Sequence, residues 1–152
     1  MLDFGAFDIE TTTIKYPKPG VSEKFIFKGY MYHWQVCLGG YVITGRYWEE
    51  LHTFLDECKK RFKLDHDNRL ILYVHNLAFE FGWIANAITF SEPGDKVLAR
   101  EPHRVMTAYS AEYNLELRCS YYLPNMSLAK WGAALGVPKS KDLDYNVLRT
   151  PL

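Results

Sequence analysis

The segment Ala6-Phe7-Asp8-Ile9-Glu10-Thr11-Thr12-Thr13 sets two carboxylates one residue apart at the end of a largely apolar stretch. Side chains alternate along a strand, so Asp8 and Glu10 project from one face while Phe7 and Ile9 take the other. Two neighbouring acids repel each other and resist desolvation unless a cation neutralises them. Oxygen-only ligands suit hard divalent ions, so Mg²⁺ or Mn²⁺ is the expected occupant. The competing account is a solvated strand end carrying two ordinary surface acids.

A second constellation follows in Tyr73-Val74-His75-Asn76-Leu77-Ala78-Phe79-Glu80-Phe81-Gly82-Trp83-Ile84, where an apolar strand gives way to a helix. Asn76 and Glu80 are four apart and share the face of the first helical turn. Asn76 reads equally as a helix cap, and Glu80 as an acid serving the helix dipole. Yet an acid among Leu77, Phe79, Phe81, Trp83 and Ile84 is poorly solvated without a positive partner. Open α/β sheets place their sites at the carboxyl ends of parallel strands. Parallel pairing of 2–10 with 70–74 therefore brings Glu80 and Asn76 toward Asp8 and Glu10.

The elements that must position these groups follow from periodicity and punctuation. Residues 2–10 read as a first strand, followed by a Pro/Gly loop at 16–20. Residues 25–44 read as two strands joined at Gly39-Gly40. Residues 47–62 form the clearest amphipathic helix, with acids early and Lys59, Lys60 and Arg61 late. A short apolar strand at 70–74 leads into a helix over 77–88, then strands at 97–100, 105–109 and 115–120. A last helix spans 126–135, stopped by Gly136. This order predicts an α/β domain, a mixed β-sheet flanked by helices.

Composition narrows the classes. The 152 residues suit one domain, and 48% hydrophobic content excludes disorder. Lys and Arg total 18 against 18 acids, so no global basic field advertises nucleic acid. A local basic rim suffices for a nuclease. Lys96, Arg100 and Arg104 offer one candidate, with a solvated basic face as the plainer account. Cys37, Cys58 and Cys119 are scattered and odd in number, which argues against a zinc site or disulfide framework. With no long apolar span, a cytoplasmic protein without membrane contact is expected.

FDIETTT resembles the first exonuclease motif, and YVHNLAFEF the second, of the protein-primed family-B DNA polymerases of bacteriophages and linear plasmids. Arg118-Cys119-Ser120-Tyr121-Tyr122-Leu123-Pro124-Asn125 with the helix after it is similar to that family's approach to its third motif. The resemblance spans about 4–148 and implies an RNase H-like 3′–5′ proofreading exonuclease fold. It implies that Asp8, Glu10 and Glu80 bind two Mg²⁺ or Mn²⁺ ions and that Asp8 bridges them. It places Thr11, Thr12, Asn76, Leu77 and Phe79 against the single-stranded DNA 3′ end. A phosphate-contacting lysine matches either Lys139 or Lys141.

Two departures modify these expectations. Glu80 stands where the family carries aspartate, and a shift of about 1 Å can cost ~10²-fold in rate. The family's third motif, Tyr-x₃-Asp, occurs nowhere in the 152 residues. His52-x₃-Asp56 resembles a variant of it but lies on the amphipathic helix before the second motif. The C-terminal part of the fold is therefore expected to be incomplete, with no polymerase domain and an incomplete metal site. Three readings follow: a proofreading fragment whose activity needs a polymerase domain or partner chain, a free-standing nuclease, or an inactive module binding single-stranded nucleic acid or protein. In the last, Trp34, Tyr121, Tyr122 and Trp131 are candidate stacking surfaces.

Overall fold

The computed structural model describes residues 4–20 and 24–139. Its centre is one seven-stranded sheet in the order β3-β2-β1-β4-β7-β6-β5. The strands are β1 (Gly5–Pro17), β2 (Phe25–Leu38), β3 (Tyr41–Gly45), β4 (Leu70–Val74), β5 (Lys96–Ala99), β6 (Val105–Ser110) and β7 (Leu115–Cys119). Helix α1 (Trp48–Phe62) joins β3 to β4, α2 (Leu77–Ile84) follows β4, and α3 (Leu128–Ala134) closes the described chain. The α/β expectation of a mixed β-sheet flanked by helices holds.

The core follows from alternation. Phe7 and Ile9 of β1, Leu70, Leu72 and Val74 of β4, and Leu115 and Leu117 of β7 are buried. Leu51, Leu55 and Cys58 supply the apolar stripe of α1. At the other edge Trp34 donates its Nε1–H to the Tyr47 carbonyl at 2.9 Å, tying β2 to the entry of α1. Trp34 is 1% exposed, which withdraws it from the candidate stacking surfaces. The Tyr47 and Arg46 amides both donate to Glu50, so the first turn of α1 is capped by a side chain of its own helix. All three cysteines are free.

Strand β1 departs most from expectation. It continues seven residues past Glu10, to Pro17, paired throughout with β2. The β-branched run Thr11-Thr12-Thr13-Ile14 favours this extension once a partner strand is present. The ladder slips between Glu10 and Thr11, where Glu10 faces His33 and Thr11 faces Met31, leaving Tyr32 as the extra residue. Beyond that bulge the two strands pair only with each other, forming a two-stranded ribbon outside the sheet.

Helix α2 is shorter than the 77–88 expected, ending at Ile84. Past it the chain runs in single turns, with Ala87 N–H on the Ile84 carbonyl and Ile88 buried. Helix α3 starts at Leu128, two residues later than expected. Ser127 is the cap, its hydroxyl accepting from the Lys130 amide.

The central β4 is the strand whose packing positions both halves of the site. Replacing its buried Leu72 by Ala is expected to cost about 2–5 kcal/mol. Urea denaturation of the purified variant measures this.

Candidate carboxylate site

Parallel pairing of β1 with β4 aligns Gly5 with Leu72 and Ala6 with Tyr73. Asp8 and Glu10 lie just beyond the last paired residues, on the face opposite Phe7 and Ile9, and both are half-buried. From the end of β4 the chain turns through His75 and Asn76 into α2. That turn requires Asn76 in the left-handed region, at φ 64° and ψ 53°. Asparagine tolerates this conformation better than most residues. The Asn76 side chain makes no cap hydrogen bond and is exposed, so helix capping does not account for it.

The turn brings Glu80 to the two acids of β1. Glu80 is 6% exposed, and burial pushes its carboxyl up to about 8. The neighbouring charge of Asp8, a hydrogen bond with the Asp8 carboxyl and the charge of Glu10 add to the rise. The Glu80 backbone N–H opposes it without reversing it. One carboxyl oxygen, Oε2, is buried without a hydrogen-bond partner. Asp8 is steadied from the other side by Gln35, whose Nε2–H donates to Oδ2 at 3.1 Å. Gln35 is directly opposite Asp8 in the β1–β2 ladder.

The chemistry of this donor set fits a hard dication, and the orphaned Oε2 of Glu80 is an oxygen in need of a positive partner. The fit is partial. Among the described residues, no group of three or more His, Cys, Asp or Glu side chains is arranged to hold a metal ion. The acidic neighbours Asp8 and Glu10 add to the effect of burial, so in the absence of a cation Glu80 keeps its proton well above the usual carboxylate range.

The other candidates divide. Phe79, one residue before Glu80, is 48% exposed, and its ring lies 6.4 Å from that of Trp83. Thr11 is half-buried and Thr12 is 7% exposed, both directly after Glu10. Leu77 is fully buried, so as a substrate contact it is corrected: its side chain faces the core. Lys139 is exposed at the end of the described chain, whereas Lys141 lies outside the described residues. On the β5–β6 hairpin Arg104 pairs with Glu101 at 3.3 Å, as a solvated face would.

Sequence reasoning missed His75. Its Nε2–H donates to the Met126 carbonyl at 3.1 Å, which leaves Nδ1 to accept from the Ser120 hydroxyl at 3.1 Å. Tyr121 and Trp131 flank the ring. This cluster ties the end of β4 to the 3₁₀ turn Ser120–Tyr122 and to α3. Beside it runs a cleft of about 810 Å³ lined by Phe4, Asp8, Tyr73, His75, Leu128 and Trp131. A cleft of about 830 Å³ opens between β2–β3 and α1, lined by Leu38, Ile43, Phe54 and Cys58. Size does not choose between them; only the first reaches an acid of the carboxylate site.

The raised Glu80 group sets a pH dependence. Without a divalent cation the folded chain holds its proton to about pH 8, whereas the ordinary value is 4.5. The associated stability is fully present below pH 4.5 and falls as pH rises through 8, by a few kcal/mol. Denaturant titrations in chelator at several pH values are expected to show that slope. Glu80→Gln is expected to remove most of it.

No protein-family model matches the chain, and no curated protein matches its sequence. Solved structures do match. Phi29 DNA polymerase complexed with primer-template DNA is 16% identical with a TM-score of 0.63, over 97% of this chain. The same polymerase complexed with single-stranded DNA is 16% identical with a TM-score of 0.64, over 99%. The chain spans only 26% of the polymerase's length. The likeness shows the fold: a mixed seven-stranded sheet flanked by helices, compatible with an RNase H-like arrangement and shared with the matched quarter of phi29 DNA polymerase.

Proposed function

We propose that the chain is an exonuclease-like domain of the phage-type family-B DNA polymerases, acting on the 3′ end of single-stranded DNA. The observation that carries this reading is Glu80, a buried carboxylate with an unpartnered oxygen placed against Asp8 and Glu10. Burying one acid beside two half-buried ones is costly in a chain that does nothing with them. Asp8, Glu10 and Glu80 would hold Mg²⁺ or Mn²⁺. When bound, such ions activate water near neutral pH and stabilise a leaving oxygen, two of them about 3.5–4 Å apart in complete sites.

The chain's own residues have distinct parts in this. Gln35 holds the Asp8 carboxylate in place through its 3.1 Å hydrogen bond. Glu80 must release its proton before a cation binds, so occupancy rises with pH up to about 8. Exposed Phe79 offers a ring for a terminal base, and exposed Asn76, held in the left-handed turn three residues earlier, offers an amide. Thr11 borders the acids on the strand side. Lys139 or Lys141 would meet the phosphate.

A specific observation favours weak activity. No three acids are arranged to hold an ion among the described residues, and Tyr-x₃-Asp is missing from the sequence. The three acids alone would therefore hold a cation weakly, and a polymerase domain or partner chain would supply the rest. The second reading, an inactive module binding single-stranded nucleic acid or protein, rests on the same shortfall.

The experiment is thermal melting with and without Mn²⁺ near pH 8, together with release of nucleotides from a labelled single strand. Saturating Mn²⁺ is expected to raise Tm by about 5–10 °C, from the ~2.7 kcal/mol gained at a hundredfold excess over Kd. Asp8→Ala is expected to abolish the rise. Hydrolysis is expected to be slow or absent. A Tm that ignores Mn²⁺ in the native chain would overturn the metal site. Fast hydrolysis abolished by Asp8→Ala would overturn the incompleteness.

A further inference from the structure

The β1–β2 ribbon has the composition of a binding surface rather than of a sheet edge. Its described residues beyond the bulge carry Lys15, Lys18, Lys24 and Lys28 and no acid, although the whole chain is neutral. Phe25, Ile26 and Phe27 are 46%, 39% and 66% exposed on it. A two-stranded ribbon gains little stability from apolar groups left in water, and exposed edges of this kind ordinarily invite aggregation. Here the rings are interleaved with lysines. The Lys15 ammonium sits 3.7 Å from the centre of the Phe25 ring, and Lys28 lies 5.7 Å from that of Tyr16.

One face of the ribbon leads to α2, the helix that carries Glu80. A side chain at Gly29 would strike the Trp83 ring of α2, so this face of β2 looks toward α2. Phe27 and Phe25, two and four residues back along the strand, project from the same face. Lys15 and Pro17 of β1 are their ladder partners. Trp83 in turn neighbours Phe79, one residue before Glu80. Aromatic rings therefore run from beside the acid cluster across Trp83 and out along the ribbon, flanked by ammonium groups.

We propose that this face of the ribbon is a binding track for single-stranded nucleic acid, with bases stacking on Phe27 and Phe25 and backbone phosphates meeting Lys15 and Lys18. Every base offers a π-face, so such a track tolerates any sequence. Cation–π contacts at exposed sites are weak enough for the lysines to exchange a ring for a phosphate. The track extends the reading of the carboxylate site by naming what holds the strand upstream of its end. It rests on that reading only for direction, because binding along the ribbon needs no cation.

The test is fluorescence anisotropy in chelator with oligo(dT) of about 4 and about 16 nucleotides. The native chain is expected to bind the longer strand more tightly. The double variant Phe25→Ala, Phe27→Ala is expected to lose about 10-fold or more of that affinity while leaving the short strand unchanged. Because both rings are exposed, its melting curve should match the native one. As an independent check, Lys15→Gln with Lys18→Gln is expected to lower the slope of log affinity against log salt by about 0.7 per lysine. Unchanged long-strand binding and salt slope in both variants would overturn the proposal, as would duplex bound as tightly as single strand. If Mn²⁺ fails to stabilise the chain while these variants still lose affinity, the track stands and the hydrolytic reading falls.

Discussion

A carboxyl group deprived of water next to two others is the constraint that organises this molecule. Glu80 cannot ionise cheaply where it is, and its proton is held to about pH 8. A neutral residue of the same shape would fold there without the loss of stability that follows when Glu80 ionises above that pH. The position is therefore one where stability and ligand affinity oppose each other. The surrounding core, with Leu72, Val74, Leu77 and Ile84 all essentially buried, is large enough to carry that cost.

The scaffold meets the constraint with ordinary means. Alternation puts Phe7 and Ile9 into the core and Asp8 and Glu10 on the other face, at the stretch of β1 that Glu80 approaches. A left-handed residue, Asn76, turns the chain sharply enough for the fourth helical residue to reach back over β1. The bulge after Glu10 ends the sheet-like part of β1 at the site and redirects the remainder into the ribbon. Each device is local, and each falls within two residues of a carboxylate or at the entry to α2.

Much of this was readable from the chain. The shared face of Asp8 and Glu10 follows from the period of a strand, and the approach of Glu80 from parallel pairing of two apolar segments. The α/β order was equally legible. What escaped depends on partners that one segment cannot reveal. Whether Thr11-Thr12-Thr13-Ile14 continues a strand is decided by β2, not by its own composition. Gln35 is one polar residue among many until the ladder sets it opposite Asp8. Leu77 and Phe79 are two apolar neighbours in sequence, yet the helix turns one into the core and the other to solvent. His75 reads as a polar residue after a strand, and only the return of the chain through Ser120 and Met126 gives it partners.

The ladder between β1 and β4 consists of just two residue pairs, Gly5 with Leu72 and Ala6 with Tyr73. On one side lie β3, β2 and β1, and on the other β4, β7, β6 and β5. Asp8 belongs to the first group and Glu80 follows the second, so the electrostatic contact between them crosses the thinnest join in the sheet. Whatever occupies the space between those two carboxyls is also a rivet between the halves. A cation bound there, as proposed above, would therefore also brace the two halves of the sheet against each other, so occupancy of the acidic cluster and stiffness of that join would rise together.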